Sequence, residues 1–239
     1  YAKEVNQTAI EEMMKCLKPW HKVIFPNTNS GYGQTSGDEF VTEDSEMSPI
    51  SVYGVTKCAA EAAVLQHPRS AVFRLATVFG ASPRMRMDLM VNDFTAKLTQ
   101  AKDNLSLLAQ HPYVSEESFR FKIFDPQFKR NFVHVNDVVR AFIFAVEQDL
   151  TGVYNLGLPT ANLTKMQLAQ FICDELHMDH DILGVGDGKD PDQRNYLVSN
   201  DKILSTGFCF ENDLAKGIHE VIQICKMTSS SELKKMRNA

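Results

Sequence analysis

The chain has 239 residues, 44% of them apolar, enough to bury a real core as one large domain or two small ones. Lys and Arg total 25 against 30 acidic residues, and a formal charge of −5 excludes a global attraction to nucleic acid or to an anionic membrane, although a local cleft can still be basic. No apolar run approaches ~18 residues and the N-terminus has no signal-peptide pattern, so neither a membrane span nor secretion is expected.

The five cysteines are irregularly spaced, without a CxxC, and read as buried thiols of a reducing cytoplasm. From Tyr1 the chain runs straight into a helical pattern, which gives it the look of a chain that starts inside a fold. Residues 4–17 place apolar side chains at 5, 9, 10, 13, 14 and 17, which predicts a helix, and residues 22–26 predict a short strand. Residues 31–50 are rich in glycine, proline and acid and read as exposed loop. A helix is expected at about 52–66, then a strand in SAVFRLATVFG, residues 70–80, ending at glycine. A helix near 88–101 leads into an irregular polar insertion at 102–119, expected to be a surface flap.

RFKIF (120–124) and NFVHV (131–135) read as strands, with Asp137 as the cap of the helix that follows. GVYNLG (152–157) is strand then glycine, residues 164–177 and 214–226 are helices, and 184–192 is a glycine- and aspartate-rich loop. The polar end from residue 229 is expected to fray. A strand–loop–helix–strand rhythm of this kind predicts an open α/β sheet, with ligands at the C-terminal ends of its strands.

Tyr53 and Lys57 lie four apart in SVYGVTKCAAE and share one face of the predicted helix. A phenol titrates near ~10, too high for a base at neutral pH, and a neighbouring ammonium favours the phenolate and brings it toward the useful range. Upstream, KVIFP empties into NTNSGYG and brings the Thr28 hydroxyl to the same spot. Together the three groups can move a proton on or off a carbinol oxygen. Two glycine clusters, at Gly31, Gly33 and Gly37 and at residues 184–188, do not make a phosphate cradle, because neither leads from a strand into a helix. The histidines are scattered; His177 and His180 form the one close pair, without an acidic or cysteine partner pattern, and no metal site is implied. His134 reads as a structural histidine.

With these residues in place the chain resembles the extended short-chain dehydrogenase/reductase family, specifically its nucleotide-sugar epimerases and dehydratases. Thr28 stands four residues before the pair Tyr32-Gly33, and Tyr53-Gly54-Val55-Thr56-Lys57, with Glu61 beyond, matches the family's YGxSK helix. RLATVFG, RNFVHVNDV, YNLG and RNYLVSNDK follow in family order, so the resemblance covers about 25–205, and Asn6 in VNQTAI resembles an earlier family asparagine.

The resemblance implies an α/β fold with a Rossmann-like parallel sheet, its N-terminal half and glycine-rich fingerprint lying upstream, plus a smaller mixed α/β substrate lobe. Residues 1–81 and about 132–165 would belong to the dinucleotide-binding domain, about 82–131 and 166–228 to the substrate lobe, and 229–239 to a flexible tail. It implies NAD as cofactor, with NADP the alternative, since the discriminating residue lies upstream. Tyr53 would be the acid/base, Lys57 would also hold the nicotinamide ribose, and Pro26, Asn27 and Ala76 would line the ring. The partner would be a nucleotide-diphosphate sugar, held by Thr28, Thr77, Asn92, Arg130 and Arg194, with Arg84 and Arg86 as further candidates. The family also dimerises through two helices, one of them the Tyr/Lys helix, whose outward residues here are Val55, Ala59, Ala62 and Ala63; intramolecular packing is the alternative use of that face.

Sugar 4,6-dehydratases of the family carry Asp-Glu directly after the catalytic Thr, where this chain has Asn29 and Ser30. Neither side chain can serve as acid or base at neutral pH. The expectation is therefore epimerisation at C4 through a transient 4-keto sugar, with a 4-ketoreductase, or a non-catalytic or truncated relative, as alternatives.

Overall fold

The computed structural model describes residues 1–35, 38–108, 120–187 and 193–237. In chain order the strands are β1 (Val23–Thr28), β2 (Phe40–Val41), β3 (Ser70–Leu75), β4 (Thr77–Phe79), β5 (Phe121–Ile123), β6 (Lys129–His134), β7 (Gly152–Leu156), β8 (Asn162–Thr164), β9 (Leu183–Val185) and β10 (Leu197–Val198). The α-helices are α1 (Ala9–Cys16), α2 (Val52–Val64), α3 (Met90–Leu108), α4 (Val135–Glu147), α5 (Lys165–Glu175), α6 (Asp201–Ser205), α7 (Leu214–Met227) and α8 (Ser230–Lys235). A π-helical turn, Glu4–Thr8, precedes α1, and a 3-10 turn, Asn29–Tyr32, follows β1.

The chain divides into two compact units. The first comprises residues 1–78, 129–162 and 192–211, the second residues 79–128, 163–191 and 212–239. Segment 192–211, which sequence assigned to the substrate lobe, thus belongs with the strands of the first unit. Its core is the parallel sheet β1-β3-β7, in which Val23 pairs with Ser70 and Ala71 with Gly152. Alternation sorts the strands into two faces. Val23, Phe25, Val72 and Val153 pack with Ile10 and Met14 around α1 and with Ala60 and Val64 of α2. Ala71, Phe73 and Tyr154 pack with Val138, Ala141 and Ala145 of α4 on the other face. Covered on both sides, β3 is buried from Ser70 to Arg74, which is why it reads as a near-continuous apolar run rather than an alternating one. Burying a Phe73 or Val72 side chain fully is worth roughly 1.5–3 kcal/mol.

In the second unit β5 and β9 pair in parallel, with Phe94 of α3 edge-on to Phe121 at 4.9 Å. Helices α3, α7 and α8 enclose a separate small core of Met85, Met87, Val221 and Leu233. Three expectations need correction here. Helix α3 runs on to Leu108, so the insertion begins later than 102, and residues 109–119 lie outside the described residues. The end of the chain is helical at Ser230–Lys235, because Ser229 and Glu232 form a reciprocal capping box that satisfies the free N–H groups. The cap of α4 is the ring of His134, which accepts from the Asn136 N–H, and Asp137 instead sits fully buried, paired with Arg140 at 2.9 Å and accepting the Glu211 N–H.

The thiols also depart from expectation. Cys173 is buried, Cys58 and Cys225 are partly so, and Cys16 and Cys209 are exposed. Burial pushes the Cys173 thiol up to about 11. No described helix is long and apolar enough to cross a membrane.

Candidate active site

β1 ends at Thr28, and its last residues meet α2. The helix starts where it does because the Ser51 side chain accepts from the Gly54 N–H at 3.1 Å. Gly54 is required by close approach: a Cβ there would stand 2.9 Å from Pro49 Cβ and 3.3 Å from the Ser30 carbonyl oxygen. The turn that follows Thr28 is thereby seated against the first turn of α2, beside Tyr53.

One helical turn on, Lys57 Nζ donates to the Pro26 carbonyl at 2.5 Å and lies 4.1 Å over the Phe25 ring. Burial lowers the Lys57 pKa below its ordinary value. A second turn on, Glu61 is reached by the Asn27 amide. Residues 53, 57 and 61 therefore form one stripe of α2, and two of them hold consecutive residues of β1. Tyr53 itself is half-exposed (48%).

The Thr28 hydroxyl caps the 3-10 turn. It accepts the Ser30 N–H at 3.1 Å and donates to Ser30 Oγ at 2.9 Å. A hydroxyl rotates about its C–O bond, so Thr28 can also turn its proton toward a ligand oxygen. Ser30 Oγ in turn receives Arg194 Nη1, and Arg130 Nη1 donates to the Arg194 carbonyl and, at 3.0 Å, to the Lys129 carbonyl. Thr28, Ser30, Arg194 and Arg130 are thus a connected chain within one unit. Arg130 is buried at 2% exposure and lies over the Tyr196 ring at 5.7 Å.

Ala76 donates its backbone N–H to the Leu156 carbonyl, and Thr77 follows it as the first residue of β4. Asn92 belongs to the chain's second unit. Its amide donates to the Arg86 carbonyl at 3.0 Å and accepts from the Gly80 N–H at 3.3 Å. Arg86 pairs with Asp88. Among the described residues no group of three metal-ligating side chains comes together.

Sequence reasoning passed over two features. One is Ser30, whose hydroxyl joins Thr28 to Arg194. The other is Arg74 on β3, buried at 5%, which donates Nε and Nη2 to Glu61 and, at 2.9 Å and 3.0 Å, Nη1 to the Tyr32 oxygen and the Glu43 carbonyl. Burial opposes the Arg74 charge, but the hydrogen bonds it donates to Glu61 and Tyr32, with their electrostatic attraction, outweigh it and hold the guanidinium firmly protonated. Burial also pushes the Tyr32 phenol up to about 12, with Arg74 pulling the other way. The signal that could have found Arg74 is a lone charge inside an otherwise apolar buried strand. Three buried amides among the described residues also have unpaired atoms: Oδ1 of Asn27, both ends of Asn29, and Oδ1 of Asn200.

Residues 4–157 match the model of the NAD dependent epimerase/dehydratase family. An uncharacterized UDP-glucose epimerase of Bacillus subtilis (strain 168), YtcB, is 29% identical over 143 residues, covering 56% of this chain and 39% of that protein. The chain therefore spans well under half the length of this curated relative. The dTDP-glucose 4,6-dehydratase RfbB of Bacillus anthracis str. Ames, solved with NAD, superposes with a TM-score of 0.75 at 18% identity, over 98% of this chain and 71% of that one. RMD of Pseudomonas aeruginosa, solved with NADPH, gives 0.75 at 18% identity over 94% of this chain and 74% of that one. These likenesses show a shared Rossmann-like α/β fold. With the family match covering more than half of its length, the chain belongs to the NAD dependent epimerase/dehydratase family.

Proposed function

We propose that this chain carries the proton-transfer half of an enzyme that epimerises a nucleotide-diphosphate sugar at C4. The observation that carries the reading is the strand end at Pro26–Thr28 held against α2 by Lys57, with Asn29 and Ser30 neutral beside it. In this reading the Thr28 hydroxyl turns to donate to the substrate oxygen and orients it, leaving the substrate's own proton for Tyr53. Tyr53 takes the hydroxyl proton as the carbon is oxidised and returns it when the keto sugar, turned over in the site, is reduced on its other face. Lys57 favours the phenolate form of Tyr53. A neutral amide at 29 and a hydroxyl at 30 cannot supply the second acid and base that elimination of water needs, so the sugar leaves with its C6 substituent intact.

The residues present fit a nicotinamide cofactor. Lys57 commits one of its three N–H donors to Pro26 and keeps others for a ribose diol, and the unpaired Asn27 Oδ1 can accept from a carboxamide. When bound, such a cofactor supplies reversible uptake of a hydride. We assign the substrate diphosphate to the guanidinium of Arg194, with Arg130 holding that segment in place and Thr77 beside the sugar. The family favours NAD as cofactor, and the named relatives YtcB and RfbB favour a UDP- or dTDP-sugar as substrate. We also propose a homodimer through α2, whose Val52 and Val55 are exposed at 69% and 51%; a Val55→Glu variant is expected to sediment as monomer where the wild type does not.

The test uses the protein at its full natural length, incubated with UDP-, GDP-, CDP- and dTDP-hexoses and followed by product separation. C4 epimers formed without net NADH consumption support the proposal. Stoichiometric NAD(P)H oxidation with a keto sugar assigns a reductase instead, and a 4-keto-6-deoxy product defeats the argument from Asn29 and Ser30. Tyr53→Phe should remove nearly all turnover while nucleotide-sugar binding stays close to wild type, because the variant deletes one oxygen and little binding surface.

A further inference from the structure

We propose that Glu61, backed by Arg74, is a positioning residue that fixes Thr28 relative to Tyr53 and Lys57. The ion pair brackets the catalytic turn from both ends. At its start the Glu61 carboxylate takes the Asn27 amide. At its far end Arg74 Nη1 holds the oxygen of Tyr32, the last residue of the 3-10 turn, which itself donates to Asn155 Oδ1 at 2.7 Å. Thr28, Asn29 and Ser30 lie between these two anchors.

A carboxylate has only acceptors, so the NH2 of Asn27 must face Glu61 and the orientation of that amide is settled by chemistry. Its Oδ1 is turned away, buried and unpaired. Glu61 also sets the register of the helix on the strand: Lys57 takes the Pro26 carbonyl and Glu61, four residues on, takes the next residue's side chain. A helix that slid or rolled would break both contacts together. Neither Glu61 nor Arg74 has been placed against substrate here, and both are nearly fully buried, with side chains 7% and 6% exposed. Their influence on the reaction therefore runs through the groups they hold.

The kinetic arm of the test rests on the function proposed above. In the full-length protein, at a temperature where circular dichroism shows both forms folded, Glu61→Ala is expected to lower kcat at least ~10-fold. KM for the nucleotide sugar should stay within ~3-fold. Glu61→Gln keeps an amide oxygen to accept from Asn27 and leaves Arg74 on Tyr32, and should recover kcat to within ~3-fold of wild type although it loses stability through the unpaired guanidinium. A wild-type kcat in Glu61→Ala, a loss carried by KM, or a Glu61→Gln variant no better than Glu61→Ala overturns the proposal. Should Glu61→Ala not fold, Asn27→Ala replaces it, since it removes the clamp and leaves the ion pair; because Asn27 also faces the proposed cofactor, it is read by the labelling measurement below and not by kcat.

A second readout does not depend on turnover. Cys58 Sγ packs against the catalytic turn, 2.9 Å from where a Gly31 Cβ would stand. Its labelling rate, resolved from the other thiols by peptide mass spectrometry, reports the seating of α2 on that turn. Several-fold faster Cys58 labelling in Glu61→Ala supports positioning, and an unchanged rate overturns it. If the wild type converts no nucleotide sugar at all, the proposed function fails while this second measurement still decides the role of Glu61.

Discussion

Gly33 closes the 3-10 turn after Thr28 at φ 69°, where a side chain is strained, and a Cβ there would meet the Ser48 carbonyl oxygen at 2.0 Å. That neighbour is backbone and cannot swing aside, so Gly33→Ala is expected to cost about 2–4 kcal/mol, combining overpacking with a left-handed backbone. Chemical denaturation compared with wild type measures it. The Arg74–Glu61 pair gives a second prediction at this scale. Arg74→Met leaves a buried carboxylate unpaired and should destabilise by roughly 3–5 kcal/mol, whereas Glu61→Leu/Arg74→Met should fall much closer to wild type, since two matched apolar side chains leave no orphaned charge. For the thiols, alkylation of the native protein near neutral pH should reach Cys16 and Cys209 first and spare Cys173, which is buried and held in its thiol form. Thr28, Tyr53 and Lys57 were legible only as candidates, because their spacing carries chemistry. Ser30 and Arg74 were not, because a serine in a loop and an arginine in a strand declare nothing until the chain folds and their partners, far away in sequence, arrive.

Helix α2 depends on its start. Ser51 supplies the one side-chain cap at its N-terminus, and its first turn presents Tyr53. Ser51→Ala should cost ~1 kcal/mol, and Ser51→Gly only a few tenths; thermal melts of the two variants separate the lost hydrogen bond from the shorter side chain. Loss of the cap should also reduce turnover more than it shifts the melting temperature, because the frayed residues are those beside Tyr53. Apolar periodicity located every strand of the central sheet and most helices, since burial on one face is written into the spacing of side chains. It failed at boundaries that side-chain hydrogen bonds decide. Helix α8 was read as frayed because its polar residues bury little, yet the Ser229–Glu232 box closes its first turn. Asp137 was read as a cap from its residue type, while the imidazole of His134 took that place and left the carboxylate to Arg140.

At the scale of the molecule, the alternation of strands and helices was enough to foresee an α/β fold with a parallel sheet. The membership of residues 192–211 in the first unit was not legible, because it rests on pairings between distant and very short segments. Leu197 pairs with Phe40 and Val198 with Val41, and Asn155 Nδ2 donates to the Ser199 carbonyl. Parallel pairing of that kind has no local turn to announce it. The assembly of the first unit from three separated stretches has a consequence in time. Synthesis runs from the N-terminus at ~5–20 residues per second, so β1, the 3-10 turn after it and α2 leave the ribosome on the order of ten seconds before the segment bearing Arg194. Through that interval Ser30 waits for the guanidinium and β2 for the strand that will pair with it. Nascent chains halted short of residue 193 should therefore be cleaved readily by protease around residues 38–48, and chains released after residue 211 should resist. The segment made last, which bears Arg194, is also the one that ties down the turn made first.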